Sequence, residues 1–418
     1  MKDGAGFWKV VCGSGGVTAV RALCAVAANK ALALALGPSL FASVAQFQNL
    51  LAIGQSASSL GLQNGWVALT ARSKDDPDRL AEAWRGGVLL ACLGWLALSA
   101  ALAAFAFAAP LETLFPGVAP GTARAALLLS VPGILCANAA AVCASAMNGL
   151  RRFALWGAAG ILSPVLQLLW LVAFLDSGEG LVLAALATQS ALPAAVSAAL
   201  ALKAGFSPRA WLRAKRAAVR EWLDFAGMGI VPAVCGPLAA IAVRQAAGGT
   251  LGWDRAGLLQ GCWRISDFFS LGISSALGVW LLPRLAANAD SEPLWTAVRP
   301  ALGRAMLLAL AGAAFVAAFR SELVPLLFSD SFAGMEELLP LQLAGDVLRS
   351  GGWCLGLGLV ARRKTKLFVS AEVLSQLFFA ALAVGLMPAL GLRAPLLAYA
   401  AENGLYLAAL LVAVRRTR

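Results

Sequence analysis

Five basic side chains stand inside stretches too apolar to be loops: Arg21, Lys30, Arg244, Arg264 and Arg349. Each costs roughly 2.5–3.5 kcal/mol at the centre of a membrane helix on insertion scales. Cations kept at that cost either neutralise a neighbouring acid or receive an anion. Four acids are embedded in the same way: Asp267, Asp346, Glu372 and Glu402. Arg264 with Asp267, and Asp346 with Arg349, are three residues apart, so each pair shares a helix face and its charges can cancel locally. Arg21, Lys30 and Arg244 have no such local partner, and contact with an anionic substrate is the stronger reading for them. Glu372 and Glu402 either pair with those cations across helices or carry protons that drive transport. Arg124 and Arg304 lie near enough to the ends of their stretches to snorkel to the interface.

Uncharged polarity is concentrated at Gln48, Gln55, Ser59 and Gln63, whose spacings of 7, 4 and 4 place them on one face of a helix. Asn49 and Asn64 flank that stripe. In lipid it must face protein or water, as hydrogen bonds between helices or as a polar cavity wall that contacts sugar hydroxyls. What is missing also narrows the chemistry. There is no histidine, which removes His-based zinc sites, a Ser-His-Asp triad and His-ligated haem. The eight cysteines form no C-x-x-C pair and sit in apolar runs, as small buried hydrophobes. No G-x-x-x-x-G-K-[ST] loop is present, so no internal ATPase is expected. Neither a metal nor another cofactor is expected, and no catalytic residue is assigned.

These side chains need helices to hold them in a membrane. The chain has 418 residues, 60% hydrophobic and 13% charged, with a mean hydropathy of +0.80. Soluble domains carry about 25% charged residues. About 250 apolar residues, at ~20 per span, furnish about twelve spans. Charged or turn-rich breaks place them at 7–36, 41–70, 85–109, 121–148, 154–175, 181–204, 223–249, 255–285, 300–319, 337–361, 367–388 and 395–414. The longest connections are 205–222, 320–336 and 71–84, none of which holds a soluble domain. The first stretch reads as a retained span rather than a cleaved leader.

Twenty-three Lys and Arg residues fall in connections and tails on one side of these spans, and three (Arg255, Arg320, Arg393) on the other. That asymmetry places both termini in the cytoplasm and accounts for the net charge of +12 without a nucleic-acid partner. The basic connection near the midpoint divides the chain into a six-helix half at 1–204, a cytoplasmic linker at 205–222 and a second six-helix half at 223–418. Gly13, Gly15, Gly16, Pro232, Gly236, Pro237, Gly351 and Gly352 are candidate hinges.

Several short stretches together resemble a known family. They are Lys30 to Pro38, Gln63-Asn64-Gly65 followed by Asp76-Pro77, Arg244 ahead of Gly252-Trp253-Asp254, Gln260-Gly261 with Ile265-Ser266-Asp267, Leu281-Leu282-Pro283, Gln342 through Gly345-Asp346-Val347-Leu348-Arg349, and Ala371-Glu372-Val373. Across essentially its whole length the chain resembles the Wzx-type polysaccharide flippases of the multidrug/oligosaccharidyl-lipid/polysaccharide (MOP) exporter superfamily. The pattern is most like the branch that flips the enterobacterial common antigen lipid.

The resemblance implies an all-α fold of twelve transmembrane helices in two six-helix halves around a central cavity. It implies transport of an undecaprenyl-pyrophosphate-linked oligosaccharide, of the O-antigen or common-antigen type, from the cytoplasmic to the periplasmic leaflet of a bacterial inner membrane by alternating access. The embedded cations would then hold the diphosphate, and a glycan polymerase and chain-length regulator would be partners. The chain departs from the family in having only two tyrosines and in cavity residues such as Arg264. A cation-coupled multidrug exporter of the same superfamily is the competing reading, although the embedded cations outnumber the acids. A membrane glycan polymerase or ligase would need a larger external loop, and a non-transporting assembly factor would not need so polar an interior.

Overall fold

The computed structural model describes residues 4–213, 218–223, 230–287, 293–362 and 364–416. All regular structure among the described residues is helical. In chain order the α-helices are α1 (Gly4–Ser58), α2 (Gln63–Ser73), α3 (Pro77–Ala108), α4 (Leu111–Leu114), α5 (Pro120–Gly149), α6 (Phe153–Ala173), α7 (Glu179–Thr188), α8 (Ala191–Ala204), α9 (Pro208–Arg213), α10 (Val219–Leu223), α11 (Ile230–Leu251), α12 (Trp253–Ala287), α13 (Leu294–Ala318), α14 (Arg320–Leu327), α15 (Leu339–Ala361), α16 (Thr365–Leu390) and α17 (Arg393–Arg416). Eight helical segments among the described residues are long and apolar enough to cross a membrane, and the protein is a multi-pass membrane protein. The first of them, Gly16–Ser58, is divided by a kink at Gly37. The eight do not include α11, α12 and α15, which carry Arg244, Arg264, Asp267, Asp346 and Arg349. With that kink and those three helices, the order is consistent with the twelve expected spans.

One boundary, between the first two spans, falls where the sequence reading places it, and two others differ, each for an identifiable reason. Gly37 adopts φ 66° and ψ 177° immediately before Pro38. Nearly glycine alone tolerates that region, and proline has no N–H to continue the ladder, so the chain bends there. The expected single span at 41–70 is split between Ser58 and Gln63, where Leu60 (φ 51°) and Gly61 (φ 69°) both turn left-handed. The third span starts at Pro77 rather than 85. Asp76 caps it by accepting from the backbone N–H groups of Asp78 and Arg79, both at 3.1 Å, and Pro77 is preset for a first helical turn.

The chain forms two compact units. Unit 1 is Met1–Ala31 with Phe47–Val234, and unit 2 is Leu32–Gln46 with Cys235–Arg418. In unit 1 the buried side chains Leu62, Trp66, Trp84, Met147 and Trp222 form a core. Trp222, from α10, donates its indole N–H to the Ala83 carbonyl at 3.0 Å, and the Ala218 N–H reaches the Glu82 carbonyl at 3.2 Å. The C-terminal end of the basic linker is thereby fixed to α3, while residues 214–217, with Lys215 and Arg216, lie outside the described residues. In unit 2, α12, α13, α15 and α17 bury Leu281, Val298, Leu355, Leu359 and Leu410. The segment Leu32–Gln46 is held in unit 2 by Phe41, whose ring meets Phe332 edge-on at 5.3 Å and Phe328 at 6.1 Å. Gly257 on α12 lets the Pro38 carbonyl approach where any Cβ would collide.

Candidate functional site

Unit 2 gathers most of the embedded charge. Arg244 on α11 is 1% exposed. Its Nε and Nη2 both donate to Gln260 Oε1, at 3.1 and 2.5 Å, and its Nη1 donates to Gln46 Oε1 at 2.5 Å. Gln46 in turn donates to Gln245 Oε1 at 3.3 Å, and the guanidinium lies 5.3 Å over the Trp263 ring. One helical turn beyond Gln260 on α12, Arg264 pairs with Asp267 at 3.7 Å, as their spacing predicts.

Asp346 and Arg349 on α15 are not joined as expected. Asp346 Oδ1 accepts hydrogen bonds from the Ser266 hydroxyl and, at 2.8 Å, from the Tyr399 phenol. The Tyr399 oxygen accepts from Arg349 Nη1 at 3.2 Å. The acid and the cation are therefore linked through a phenol rather than as a direct ion pair, and Arg349 also stacks 4.5 Å over Trp353. Gln342 donates to Ser266 Oγ at 3.1 Å. Glu372 on α16 accepts from the Tyr406 phenol at 3.0 Å, and Glu402 on α17 is buried. Both tyrosines of the chain lie on α17, seven residues apart and so on one face, and each serves an embedded acid. Gly345 and Gly352 make room for them, because a Cβ on Gly345 would strike the Tyr399 ring and one on Gly352 would lie 2.8 Å from Tyr406.

Unit 1 holds the remaining predicted residues. Arg21 lines a cavity of about 380 Å³ between α1, α6 and the break joining α7 to α8, with Ser163, Gln167 and Gln189 as its other polar walls and Pro164, Leu168 and Leu171 among its apolar ones. Lys30 is half-buried in the same unit. Gln48 and Gln55 share a face of α1. Ser59 and Gln63 do not continue that face, because the left-handed turn at Leu60 and Gly61 intervenes, and the Ser59 hydroxyl is spent on the Ser56 carbonyl at 3.0 Å. The flanking Asn64 side chain and the predicted hinge Pro232 lie outside the described side chains.

Sequence reasoning missed Gln46, Gln260, Ser266, Gln342, Tyr399 and Tyr406 as partners of the embedded charges. The one signal for the tyrosines was scarcity, two against 19 phenylalanines and 13 tryptophans, which marks positions where the hydroxyl matters.

The chain superposes on an inward-facing multidrug resistance MATE family transporter of the MOP superfamily with a TM-score of 0.76, at 17% identity, covering 95% of this chain and 97% of that one. The chain shares the fold of that transporter. The chain also superposes on the lipid II flippase MurJ in an inward closed conformation, with a TM-score of 0.68 at 13% identity over 97% of this chain and 87% of that one. In sequence, the chain is 27% identical over 383 residues to the lipid III flippase of Escherichia coli (strain K12), covering 90% of this chain and 91% of that protein. No family model matches the chain. These similarities agree with the expected all-α MOP architecture and with the resemblance to oligosaccharide-lipid flippases.

Proposed function

We propose that this protein is a flippase that carries an undecaprenyl-pyrophosphate-linked oligosaccharide from the cytoplasmic to the periplasmic leaflet of a bacterial inner membrane, with both termini in the cytoplasm. The similarity to a lipid III flippase over nine-tenths of both chains carries this reading. The embedded cations support it, since a diphosphate cannot enter ~30 Å of hydrocarbon unpaired. In this reading Arg21, Lys30, Arg244, Arg264 and Arg349 receive the diphosphate, and Gln48 and Gln55, with Ser59 and Gln63, meet sugar hydroxyls. Asp267, Asp346, Glu372 and Glu402 balance or couple the movement. The halves 1–204 and 223–418 alternate access, and the polyprenyl tail stays in lipid.

Outward movement of about two negative charges is downhill by roughly 4–5 kcal/mol per 100 mV, the cytoplasm being negative, so transport can proceed without ATP. A polymerase and chain-length regulator would act on the product. Deletion in the native host tests the reading. Lipid-linked glycan should accumulate on the cytoplasmic face, with its sugars identified by mass spectrometry. Unchanged glycan lipids together with lost drug resistance would instead establish the multidrug exporter.

A further inference from the structure

Arg244 is the most deeply buried cation of the site, yet the acceptors of its three hydrogen bonds are the neutral carboxamides of Gln46 and Gln260. Among the described residues no carboxylate lies within ion-pair distance of it; Asp267, on the helix that supplies Gln260, pairs directly with Arg264 and acts on Arg244 only at longer range. A carboxamide satisfies guanidinium N–H groups and leaves the full positive charge. Burying a charge without a counter-charge is costly, and a glutamate at either position would offset that cost with an equivalent acceptor oxygen. The Trp263 ring against the guanidinium adds a neutral wall.

We propose that Gln46 and Gln260 are positioning residues that fix the Arg244 guanidinium as a cation without a direct ion-pair partner, making it a receptor for a phosphate group of the transported lipid. The proposal rests on the flippase reading and adds to it the residues that keep one receptor charged. It also separates Arg244 from Arg264, which pairs directly with Asp267, and from Arg349, which is tied through Tyr399 to Asp346.

The deciding variant is Gln260→Glu, which keeps the acceptor for Nε and Nη2 and exchanges the carboxamide NH2 for a negatively charged oxygen. Purified protein is compared with wild type for thermal unfolding and for binding of undecaprenyl diphosphate in detergent. The expected result is an unfolding temperature at or above wild type, with affinity lower by about tenfold or more and glycan export lost. A purely structural clamp would tolerate the substitution, so wild-type affinity and export in a folded Gln260→Glu protein overturns the proposal and leaves the flippase reading standing. Loss of folding in Gln260→Glu also overturns it, because a buried cation without an ion-pair partner gains from a carboxylate at its side. Wild-type protein that binds no undecaprenyl diphosphate, in a host whose glycan lipids are unchanged by deletion, removes the flippase reading and the clamp with it.

Discussion

The Tyr399 phenol donates to Asp346 at 2.8 Å and accepts from Arg349 at 3.2 Å, so one hydroxyl joins an acid and a base of the same helix that do not touch each other. The bridge comes from α17 and reaches α15 only because Gly345 has no side chain. Tyr399→Phe keeps the ring and its edge contact with Phe379 at 6.1 Å, and removes only the hydroxyl. It should lower stability by about 1–3 kcal/mol, the usual cost of leaving buried polar groups short of a partner. Denaturation in detergent measures this. A change within a few tenths of a kcal/mol would show that water replaces the phenol.

Gly37 offers a cleaner test of backbone strain. A Cβ there would meet nothing within 4 Å, so space is not the constraint, but φ 66° with ψ 177° is nearly glycine-only. Gly37→Ala should cost about 1–3 kcal/mol. The comparison variant Gly16→Ala, also with open space around it but in regular helix, should be neutral or slightly stabilising. Equal thermal shifts in the two would remove the conformational argument.

Gly351 and Gly352 read from sequence as a hinge, and the structure gives them a packing reason. A Cβ on Gly351 would sit 3.0 Å from Leu407 and 3.1 Å from the Met306 sulfur, and one on Gly352 would sit 2.8 Å from the Tyr406 ring. Gly352→Ala should therefore overpack the contact between α15 and α17 and lower stability by about 1–3 kcal/mol. A hinge would give the opposite pattern: an unchanged unfolding temperature with slowed export.

The helices and their embedded charges were legible because hydrophobic runs and charge asymmetry are local properties of the chain. The Arg264–Asp267 pair was legible for the same reason, as both ends lie on one helical turn. The clamp on Arg244 was not, since Gln46 and Arg244 are 198 positions apart and only the folded chain brings them together. Asp346 and Arg349 had the right spacing for an ion pair, but a phenol from another helix competes for both. The break after Ser58 escaped notice because its first left-handed residue is a leucine, Leu60, and its one residue-type signal, Gly61, is a single glycine in an apolar run.

That break makes the last prediction specific. Four polar residues at spacings of 7, 4 and 4 would act together if they lined one continuous helix. Gln48 and Gln55 still do, within α1, whereas Gln63 begins α2 beyond the turn and is exposed. Under the flippase reading, Gln48→Ala and Gln55→Ala should each reduce glycan-lipid export several-fold at matched expression. Each lost neutral hydrogen bond to a sugar is worth about 1 kcal/mol, roughly a fivefold change. Gln63→Ala should leave export near wild type. Equal losses in all three would mean that the break closes during transport and that the polar face is continuous when the sugar passes.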